Sequence, residues 1–428
     1  MTFILYNALI SLFLILYSPI HIISLIMGSK YRESTLPRLG FQSYPKADKS
    51  KKTYLIHSVS VGETQVAGTL ASEFKAEDLN CRIFVSTVTE TGQAVASKLK
   101  DVDGHFYLPY DLWPLTNKIF KRIQPDAVII VENDLWLNYL HAAKVRDIPC
   151  YQVNAKLSAS SLRSYKKFAK FGQLLFEPMH HFFVQSKTFR ERFEEMGIAK
   201  DKLTVSGNIK LDSNPPFLSE SELSDFKNSL GLQGKSLNHC LIYGSTHAGE
   251  EELALETHNK LKKNSPELQT IIVPRHPERF DKVCAMLEKS GAKFSRASQI
   301  RDNQATEDIL VIDKMGALMK AYQIGTIGIV CGSFTGKVGS HNFLEPSFYK
   351  KPFVFGPHTY SQPGFYQLCK QANAGLQCTM EELSEELDKL LRDPQKQLEI
   401  GESGYKIISA AKGAVHHTVE VIIKELEG

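Results

Sequence analysis

The sequence lacks paired or closely spaced cysteines. Its cysteines stand at positions 81, 150, 240, 284, 331, 369 and 378, scattered and mostly inside apolar runs, and none belongs to a C-x-x-C pair. A disulfide framework or a zinc ribbon needs an even set or a close spacing, so we expect reduced thiols in a cytosolic compartment. The histidines also lack i,i+4 partners on a common helical face, and no metal site is expected from them.

A large excess of one charge is lacking too. Lys and Arg number 51 against 47 Asp and Glu, a net charge of +4, which is too small to indicate nucleic-acid binding by itself. Asp101-Val-Asp103 matches a short acidic motif that holds a divalent cation in some transferases. It precedes Gly104 and a predicted strand, so a solvated turn is the better interpretation.

Charged side chains are missing from residues 2–27, where apolar residues dominate. As a helix this stretch is roughly 39 Å long, enough to cross a bilayer with tilt. It lacks the basic start and cleavage site of a secretory signal, and Lys30 and Arg32 follow at once. We expect residues 1–29 to be a membrane anchor with the rest of the chain in the cytoplasm. Pro19 leaves a half-inserted, monotopic helix open as the alternative to a spanning one.

Strands alternate with helices twice along the chain, once from Thr53 to Val205 and again from Cys240 onward. Such alternation predicts an α/β fold with parallel, doubly wound sheets. Two halves of this kind are expected to face a central cleft, with ligands at the carboxyl ends of the strands. The predicted parts after the anchor are an N-terminal domain, a linker, a C-terminal domain and a helical tail: 30–212, 213–236, 237–395 and 396–428.

The stretch Thr326 to His358 predicts an anion site. A β-branched run typical of a buried strand is followed by glycines at 332, 336 and 339, and Asn342-Phe343-Leu344-Glu345 is expected to open a helix. The glycine spacing fits neither a Walker A loop nor G-x-G-x-x-G. We expect a nucleotide here, with Glu345 hydrogen-bonded to ribose. A flexible turn is the alternative.

Carboxylates follow two predicted strands of the first half. Ser60-x-x-Glu63 fits a capping box, but a carboxylate at this sheet edge is also suited to accept a proton from an acceptor hydroxyl. The spacing leaves both interpretations open. Glu132 and Asp134 follow a later strand, where Asp134 is also suited to cap the next helix. Three cations near strand ends are candidates to meet an anionic substrate: Lys156, Arg163 and Lys210.

Two further segments follow strands of the second half. Arg275 and His276 are suited to clamp a phosphate, although Pro277 at a first helical turn explains the same segment structurally. Met315-Gly316-Ala317 is a strand-to-helix turn that is informative only together with the others.

Together these segments resemble the Kdo transferases of lipopolysaccharide assembly, which move 3-deoxy-D-manno-octulosonic acid (Kdo) from CMP-Kdo onto lipid A precursor. The motifs that carry the resemblance, in order, are HSVSVGE (57–63), ENDLW (132–136), NAKLS (154–158), GNIKLD (207–212), PRHPERF (274–280), DKMGALMKAY (313–322) and GSHNFLEP (339–346). They span nearly the whole chain. The resemblance implies a GT-B fold of two Rossmann-like domains, inverting transfer to lipid IVA at the inner membrane, and no metal or other cofactor.

The resemblance also implies roles for individual residues. Glu63 is implied as the general base, and Glu132 and Lys210 as groups that stabilise the transition state. The implied CMP-binding residues are Arg275, His276, Met315, Gly316, Ala317, Asn342, Phe343, Leu344 and Glu345. This chain departs from the family pattern at Leu137, Ala317 and Ser340.

Two alternatives to Kdo transfer remain at this point. One is another GT-B glycosyltransferase or a nucleotide-sugar epimerase. The other is a membrane-bound protein that binds a nucleotide sugar without turning it over.

Overall fold

The computed structural model describes residues 2–26, 32–212, 217–301 and 306–427. The chain divides into two compact units: unit 1 is Met1–Ser213 with Ala411–Gly428, and unit 2 is Asn214–Ala410. The strands are β1 Thr53–His57, β2 Arg82–Thr87, β3 Gly104–Tyr107, β4 Ala127–Val131, β5 Cys150–Ala155, β6 Met179–Val184, β7 Leu203–Val205, β8 Cys240–Thr246, β9 Gln269–Pro274, β10 Ser295–Arg296, β11 Ile309–Val311, β12 Ile327–Val330, β13 Phe353–Phe355 and β14 Leu376–Gln377.

Helices cover the sheets in both units. They are α1 Thr2–Ile26, α2 Arg32–Arg38, α3 Val61–Glu77, α4 Glu90–Ala96, α5 Trp113–Ile123, α6 Leu137–Lys144, α7 Ala159–Lys167, α8 Ala169–Phe176, α9 Lys187–Glu195, α10 Glu220–Ser229, α11 Glu250–Leu261, α12 Phe280–Lys289, α13 Leu318–Ile324, α14 Pro363–Ala372, α15 Leu383–Leu391, α16 Pro394–Ala410 and α17 Ala414–Glu427. Short 3₁₀ helices are Lys200–Lys202, Ile209–Leu211, Pro277–Arg279, Ala297–Gln299 and Pro346–Tyr349.

Each unit is built on a parallel sheet of seven described strands. The order is β3-β2-β1-β4-β5-β6-β7 in unit 1 and β10-β11-β9-β8-β12-β13-β14 in unit 2. The order reverses beside β1 in the first sheet and beside β8 in the second, which are the positions where open α/β sheets bind ligands. This is the predicted doubly wound α/β architecture, and two parallel sheets of this kind make a GT-B-like fold.

The central strands are buried on both faces. All five residues of β1 and of β4 are buried, as are all seven of β8. Alternate residues enter separate cores: Leu55 and Val128 pack on one side of the first sheet, Ile56 and Ile129 on the other. Continuous apolar runs are what a parallel sheet covered on two sides requires.

The helix expected to open at Asn342 is absent. A turn at residues 343–345 is followed by the 3₁₀ helix Pro346–Tyr349. In an α-helix beginning at Asn342, Pro346 would stand where its missing N–H should bond the carbonyl of Asn342, and its ring would clash there. The prediction that Glu345 lies one turn inside a helix is therefore wrong.

Glycines at 404 and near 413 predict breaks in the helical tail, but α16 runs through Gly404. Gly401 and Gly404 instead allow α16 to pack on the 3₁₀ helix Pro346–Tyr349: a Cβ on Gly401 would lie 2.1 Å from the carbonyl oxygen of Lys350. The expected break near Gly413 is present, with φ of +98° at that residue.

The C-terminal helix α17 returns to unit 1. It packs on α3, and its first turn is held by Asp212, whose carboxylate accepts from the N–H groups of Gly413 at 2.7 Å and Val415 at 2.5 Å. The predicted tail 396–428 thus divides, with α16 in unit 2 and α17 in unit 1.

The predicted anchor is helical from Thr2 to Ile26, while residues 27–31, including Lys30, lie outside the described part. Among the described residues, no helix is both long and apolar enough to cross a membrane. In the predicted linker, 213–216 are likewise outside the description, and α10 follows within it.

We expect Gly401→Ala to destabilise unit 2 by about 1–3 kcal/mol, because the added methyl meets backbone that cannot rotate away. Gly364→Ala in α14 is the matched control, since a Cβ there has no neighbour within 4 Å. The control should be neutral or gain up to about 1 kcal/mol. Urea denaturation measures both, and equal midpoints would contradict the packing argument.

Candidate functional site

Glu132 is the centre of a charged cluster at the carboxyl edge of the first sheet. It follows β4 directly and is 6% exposed. Its Oε1 accepts from Nζ of Lys210, and its Oε2 lies beside Nζ of Lys156, each at 2.6 Å. Burial raises the pKa of Glu132, but the two lysines outweigh it and hold that pKa below its ordinary value. Glu132 is therefore ionised at neutral pH.

The backbone at this cluster is unusual. Glu132 and Asn154 are in the left-handed region, with φ of +61° and +52°, which costs a residue with a side chain about 1–3 kcal/mol. Gln152 offsets this by donating to the Glu132 carbonyl at 2.5 Å, and the Asn154 side chain accepts from the N–H of Ile209 at 3.1 Å. Asn154 thus connects the end of β5 to the 3₁₀ helix that carries Lys210.

Glu63 lies in the first turn of α3 and is half-buried. Its Oε2 accepts from the N–H of Val59 at 2.7 Å and its Oε1 from the hydroxyl of Ser60 at 3.1 Å. This carboxylate therefore holds the helix start, as the capping interpretation required. The neighbouring Gly62 borders Lys210, whose Nζ is 3.8 Å from the place of a Gly62 Cβ. The structure thus brings the start of α3, Lys210 and Glu132 together.

His57 connects three strand ends beneath this cluster. Its ring is fully buried, with Nδ1 2.9 Å from Oγ of Ser86 and Nε2 3.1 Å from Oδ2 of Asp134. Burial raises the pKa of Asp134, but hydrogen bonds from His57 and Trp136 bring it below its ordinary value. The sequence predicts no role for His57, and its one signal is a polar side chain at the end of an apolar strand.

A group of imidazoles lies at the carboxyl edge of the second sheet. His247 follows β8 and His341 follows β12. Their Nε2 atoms are 2.8 Å apart, the rings are stacked, and His276 meets His247 edge-on at 5.5 Å between centroids. Burial and nearby positive charge lower the pKa of His247 to about 4 and that of His341 to about 3. Both are neutral at pH 7, so the N–H of one can donate to the other.

The glycine-rich loop after β12 is bonded to a protein carboxylate. Glu250, fully buried at the start of α11, accepts from the N–H groups of Gly332 at 2.7 Å, Phe334 at 3.1 Å and His247 at 3.0 Å. Two N–H groups expected to face a phosphate therefore face Glu250. The helix N-terminus expected to face the anion is absent, and these two loop N–H groups are occupied by Glu250.

Several predicted nucleotide-binding residues do meet at this edge. Arg275 and His276 are exposed directly after β9. Burial raises the pKa of Glu345 to about 7, and the charge of Arg275 acts in the opposite direction. The segments after β8, β9 and β12 therefore converge, with cationic and neutral donors beside one titratable carboxyl.

The remaining predicted residues differ in accessibility. Met315 is exposed, and Gly316 has φ of +79°, in the turn between β11 and α13 that Ala317 completes. Phe343 and Leu344 are fully buried, and the Phe343 ring stacks on Phe355. In this structure neither residue presents surface to a ligand. Asn342 is half-buried and accepts from the N–H of Leu344 at 3.1 Å.

Among the described residues, one group has ligand atoms close enough to hold a metal ion: Glu73, Glu77 and His416. It lies on α3 and α17. Nδ1 of His416 is 2.7 Å from Oε1 of Glu73, and this hydrogen bond raises the pKa of His416. The ion pair accounts for the grouping without a metal.

Comparison with known proteins gives a consistent family. A family model described as 3-deoxy-D-manno-octulosonic-acid transferase (kdotransferase) matches residues 33–213. A 3-deoxy-D-manno-octulosonic acid transferase of Haemophilus influenzae is 31% identical over 94% of this chain and 93% of its own length. A transferase of the same name from Chlamydia muridarum is 29% identical over 99% of this chain and 97% of its own.

Solved structures show the same fold at low identity. UDP-GlcNAc 2-epimerase from Neisseria meningitidis has a TM-score of 0.61 at 15% identity, covering 87% of this chain and all of its own. A glycosyltransferase from Rickettsia africae has a TM-score of 0.60 at 15% identity, covering 88% and 98%. These likenesses concern the fold alone.

The Glu132 cluster predicts a pH-dependent stability. Because the pKa of Glu132 is lowered by folding, its charge stabilises the fold above the unfolded-state pKa, and this contribution is lost as pH falls through the folded-state pKa. Lys210→Met should raise the folded pKa, so stability falls at a higher pH than in the parent. At neutral pH we expect Lys210→Met to lower the free energy of unfolding by about 1–3 kcal/mol. This is less than the ~3–5 kcal/mol lost when a fully buried pair is broken, because Lys156 remains and Lys210 is 37% exposed.

Denaturant unfolding of both proteins across the acid range measures this shift. Lys144→Met is the matched control, because its pair with Glu177 is exposed on both sides. Such a pair is worth about 0–1 kcal/mol. Parallel pH profiles for the parent and Lys210→Met would refute the assigned coupling.

Proposed function

Because the chain belongs to the 3-deoxy-D-manno-octulosonic acid transferase family, we propose that it transfers Kdo from CMP-Kdo to a lipid A precursor, lipid IVA, in lipopolysaccharide biosynthesis. The observation that carries the proposal is the grouping of Glu63, Glu132 and Lys210 in unit 1. All three lie where the strand order of the first sheet reverses.

Glu63 is the proposed general base. Its present partners are the N–H of Val59 and the hydroxyl of Ser60, which both donate to the carboxylate. Each carboxylate oxygen has a second lone pair, so an acceptor hydroxyl can bind without displacing them. Glu63 accepts the hydroxyl proton, and the acceptor oxygen bonds the anomeric carbon of Kdo on the face opposite the departing CMP. The configuration at that carbon is therefore inverted.

Glu132 and Lys210 are proposed to stabilise the transition state. Departure of CMP from a ketose leaves positive character on the sugar and negative charge on the phosphate. Two ammonium groups around one carboxylate give the cluster a net charge of one positive unit. That positive charge can attract the carboxylate of an acidic sugar. The ionised Glu132 stabilises the positive charge that develops on the sugar ring.

Unit 2 is proposed to bind the donor. Arg275 and His276 are exposed donors for the phosphate, and the neutral His247 and His341 behind them add no charge. Glu345 is the proposed partner of ribose hydroxyls. Further proposed contacts to the nucleotide come from Met315, Gly316, Ala317 and Asn342, and the buried Phe343 and Leu344 are proposed to hold Asn342 and Glu345 in position. The reaction as proposed uses no metal or other cofactor.

The proposed location is the inner membrane, with the catalytic units on the cytoplasmic side. Support comes from α1, which carries no charged residue and exposes large apolar side chains between Ile4 and Tyr17. A lipid acceptor would then be met at the membrane surface.

We expect Glu63→Gln to bind CMP-Kdo normally and to lower transfer by about 10²–10⁴-fold, the usual contribution of a general base. Product formation is followed by mass analysis of lipid after incubation with CMP-Kdo and a tetraacyl lipid A precursor. The same spectra count the Kdo units added.

Glu222→Gln is the matched control, because Glu222 also caps a helix start, through Ser219 at 2.8 Å. It should lose a similar small amount of stability and keep full activity. Full turnover by Glu63→Gln would remove the assigned base. Preference for UDP-sugars over CMP in a binding competition would favour another GT-B enzyme.

A further inference from the structure

The first turns of α1 are built into unit 1. The hydroxyl of Tyr6 donates to Oδ2 of Asp111 at 2.8 Å, and the side-chain amides of Asn7 and Asn138 exchange hydrogen bonds of 3.1 and 2.9 Å. Asp111 is 2% exposed and also accepts from the N–H of Asn138. Polar contacts of this kind belong to a folded interface, because a helix joined only by a flexible tether would not make them.

Aromatic ring contacts also hold the amino end of α1 against unit 1. Phe3 meets His141 at 4.4 Å and Trp113 at 6.2 Å between centroids, and Tyr6 meets Phe171 of α8 at 6.0 Å. Phe3 and Tyr6 are partly buried against the core beneath. The amino end of α1 is therefore fixed on unit 1, beside α8.

The chain is fixed on unit 1 again just after α1. In α2, Nε of Arg38 donates to the carbonyl of Leu108 at 3.3 Å, and Ser34 bonds Glu90 at 3.3 Å. The six residue steps from Ile26 to Arg32 reach at most about 22 Å, whereas α1 from Asn7 to Ile26 is about 28 Å long. The residues that flank α1 on unit 1 therefore lie on the same side of a membrane. If α1 crossed the roughly 30 Å hydrocarbon core, the connection after it would be too short to return to unit 1.

Between residues 4 and 17, α1 also exposes large apolar side chains to solvent. The exposed ones are Ile4, Leu5, Leu9, Leu12, Phe13, Ile15, Leu16 and Tyr17. A long uncharged surface of this kind on a soluble protein marks an interaction site.

A cationic segment lies next to α1. Residues 157–176, which form α7 and α8, contain Arg163, Lys166, Lys167 and Lys170 and no acidic residue, and of these cations Lys166 pairs with Glu195 of α9. At the junction of the two helices Phe168 is 62% exposed, with Nζ of Lys167 5.7 Å from its ring centroid. The contact between Tyr6 and Phe171 joins this segment to α1.

We propose that α1 and the segment 157–176 form one membrane-facing surface, on which α1 lies in the plane of the bilayer rather than across it. The apolar face of α1 and Phe168 enter the headgroup region, and the cations beside them contact anionic lipid headgroups. An uncharged apolar helix beside a cationic segment without acidic residues is complementary to a bilayer with anionic headgroups. This inference rests on the proposed membrane location and is independent of the transfer chemistry.

Flotation of the full-length protein with vesicles tests the cationic half of the surface. Lys167→Gln/Lys170→Gln should weaken binding to phosphatidylcholine vesicles containing phosphatidylglycerol by about tenfold or more, and leave binding to pure phosphatidylcholine unchanged. The control Lys98→Gln/Lys100→Gln removes the same charge from the connection between α4 and β3 and should bind like the parent. Equal binding by the two double variants would overturn the assignment.

Labelling tests the orientation of α1. In inverted inner-membrane vesicles, a membrane-impermeant maleimide should reach a Thr2→Cys variant as readily as a Lys424→Cys variant on exposed α17. Protection of Thr2→Cys alone would show a spanning helix and end the proposal. Transfer to detergent-dispersed acceptor should be unaffected in Lys167→Gln/Lys170→Gln, so a failure of the transferase proposal would appear in that assay and not in the vesicle experiments.

Discussion

The first unit depends on keeping one buried carboxylate ionised. Glu132 can be charged inside the protein only because Lys156 and Lys210 approach it from two other segments. One lysine follows β5, and the other lies in the 3₁₀ helix after β7, so the ion pairs hold together loops that are far apart in sequence. The left-handed backbone of Glu132 and Asn154 is tolerated in this frame because side-chain hydrogen bonds fix it from both sides.

The two units use the same local pattern for different purposes. Each central strand leads into a Gly-Glu pair that opens a helix: Gly62-Glu63 after β1 and Gly249-Glu250 after β8. Glu63 bonds only its own helix start and stays half-buried, which leaves it able to meet a substrate. Glu250 is buried and holds the loop after β12, so its capacity to accept hydrogen bonds serves the fold. Environment, rather than residue type, separates a proposed catalytic carboxylate from a structural one.

The sequence predicted the features that depend on neighbouring residues. Apolar runs identified β1, β4 and β8, and the polar residues predicted to follow strands lie at the carboxyl edges of the sheets. The helix expected at Asn342 failed because Pro346 forbids it, and α16 passed through Gly404 because packing against another segment favours glycine there. In the first case a proline excluded the expected helix, and in the second a packing contact explained a glycine that the sequence alone indicated as a helix break.

Other features had no local signal. His247 and His341 are 94 residues apart, and only the adjacency of β8 and β12 makes their rings stack. The same holds for His57, which meets Ser86 and Asp134 through neighbouring strands. Phe343 and Leu344 belong to the matched motif but are fully buried, which a motif match does not reveal.

The docking of α1 has a consequence for the proposed site. Asn138, which bonds Asn7, lies in the first turn of α6, and α6 begins five residues after Glu132. Asp111 accepts from Tyr6 and from the N–H groups of Asn138 and Tyr139, so one buried carboxylate joins α1 to the start of α6. The helix that is proposed to contact lipid therefore also supports the segment carrying Glu132. The proposed membrane contact and the geometry of the charged cluster would then depend on one hydrogen-bonded network, and α1 is part of the folded unit as well as its proposed anchor.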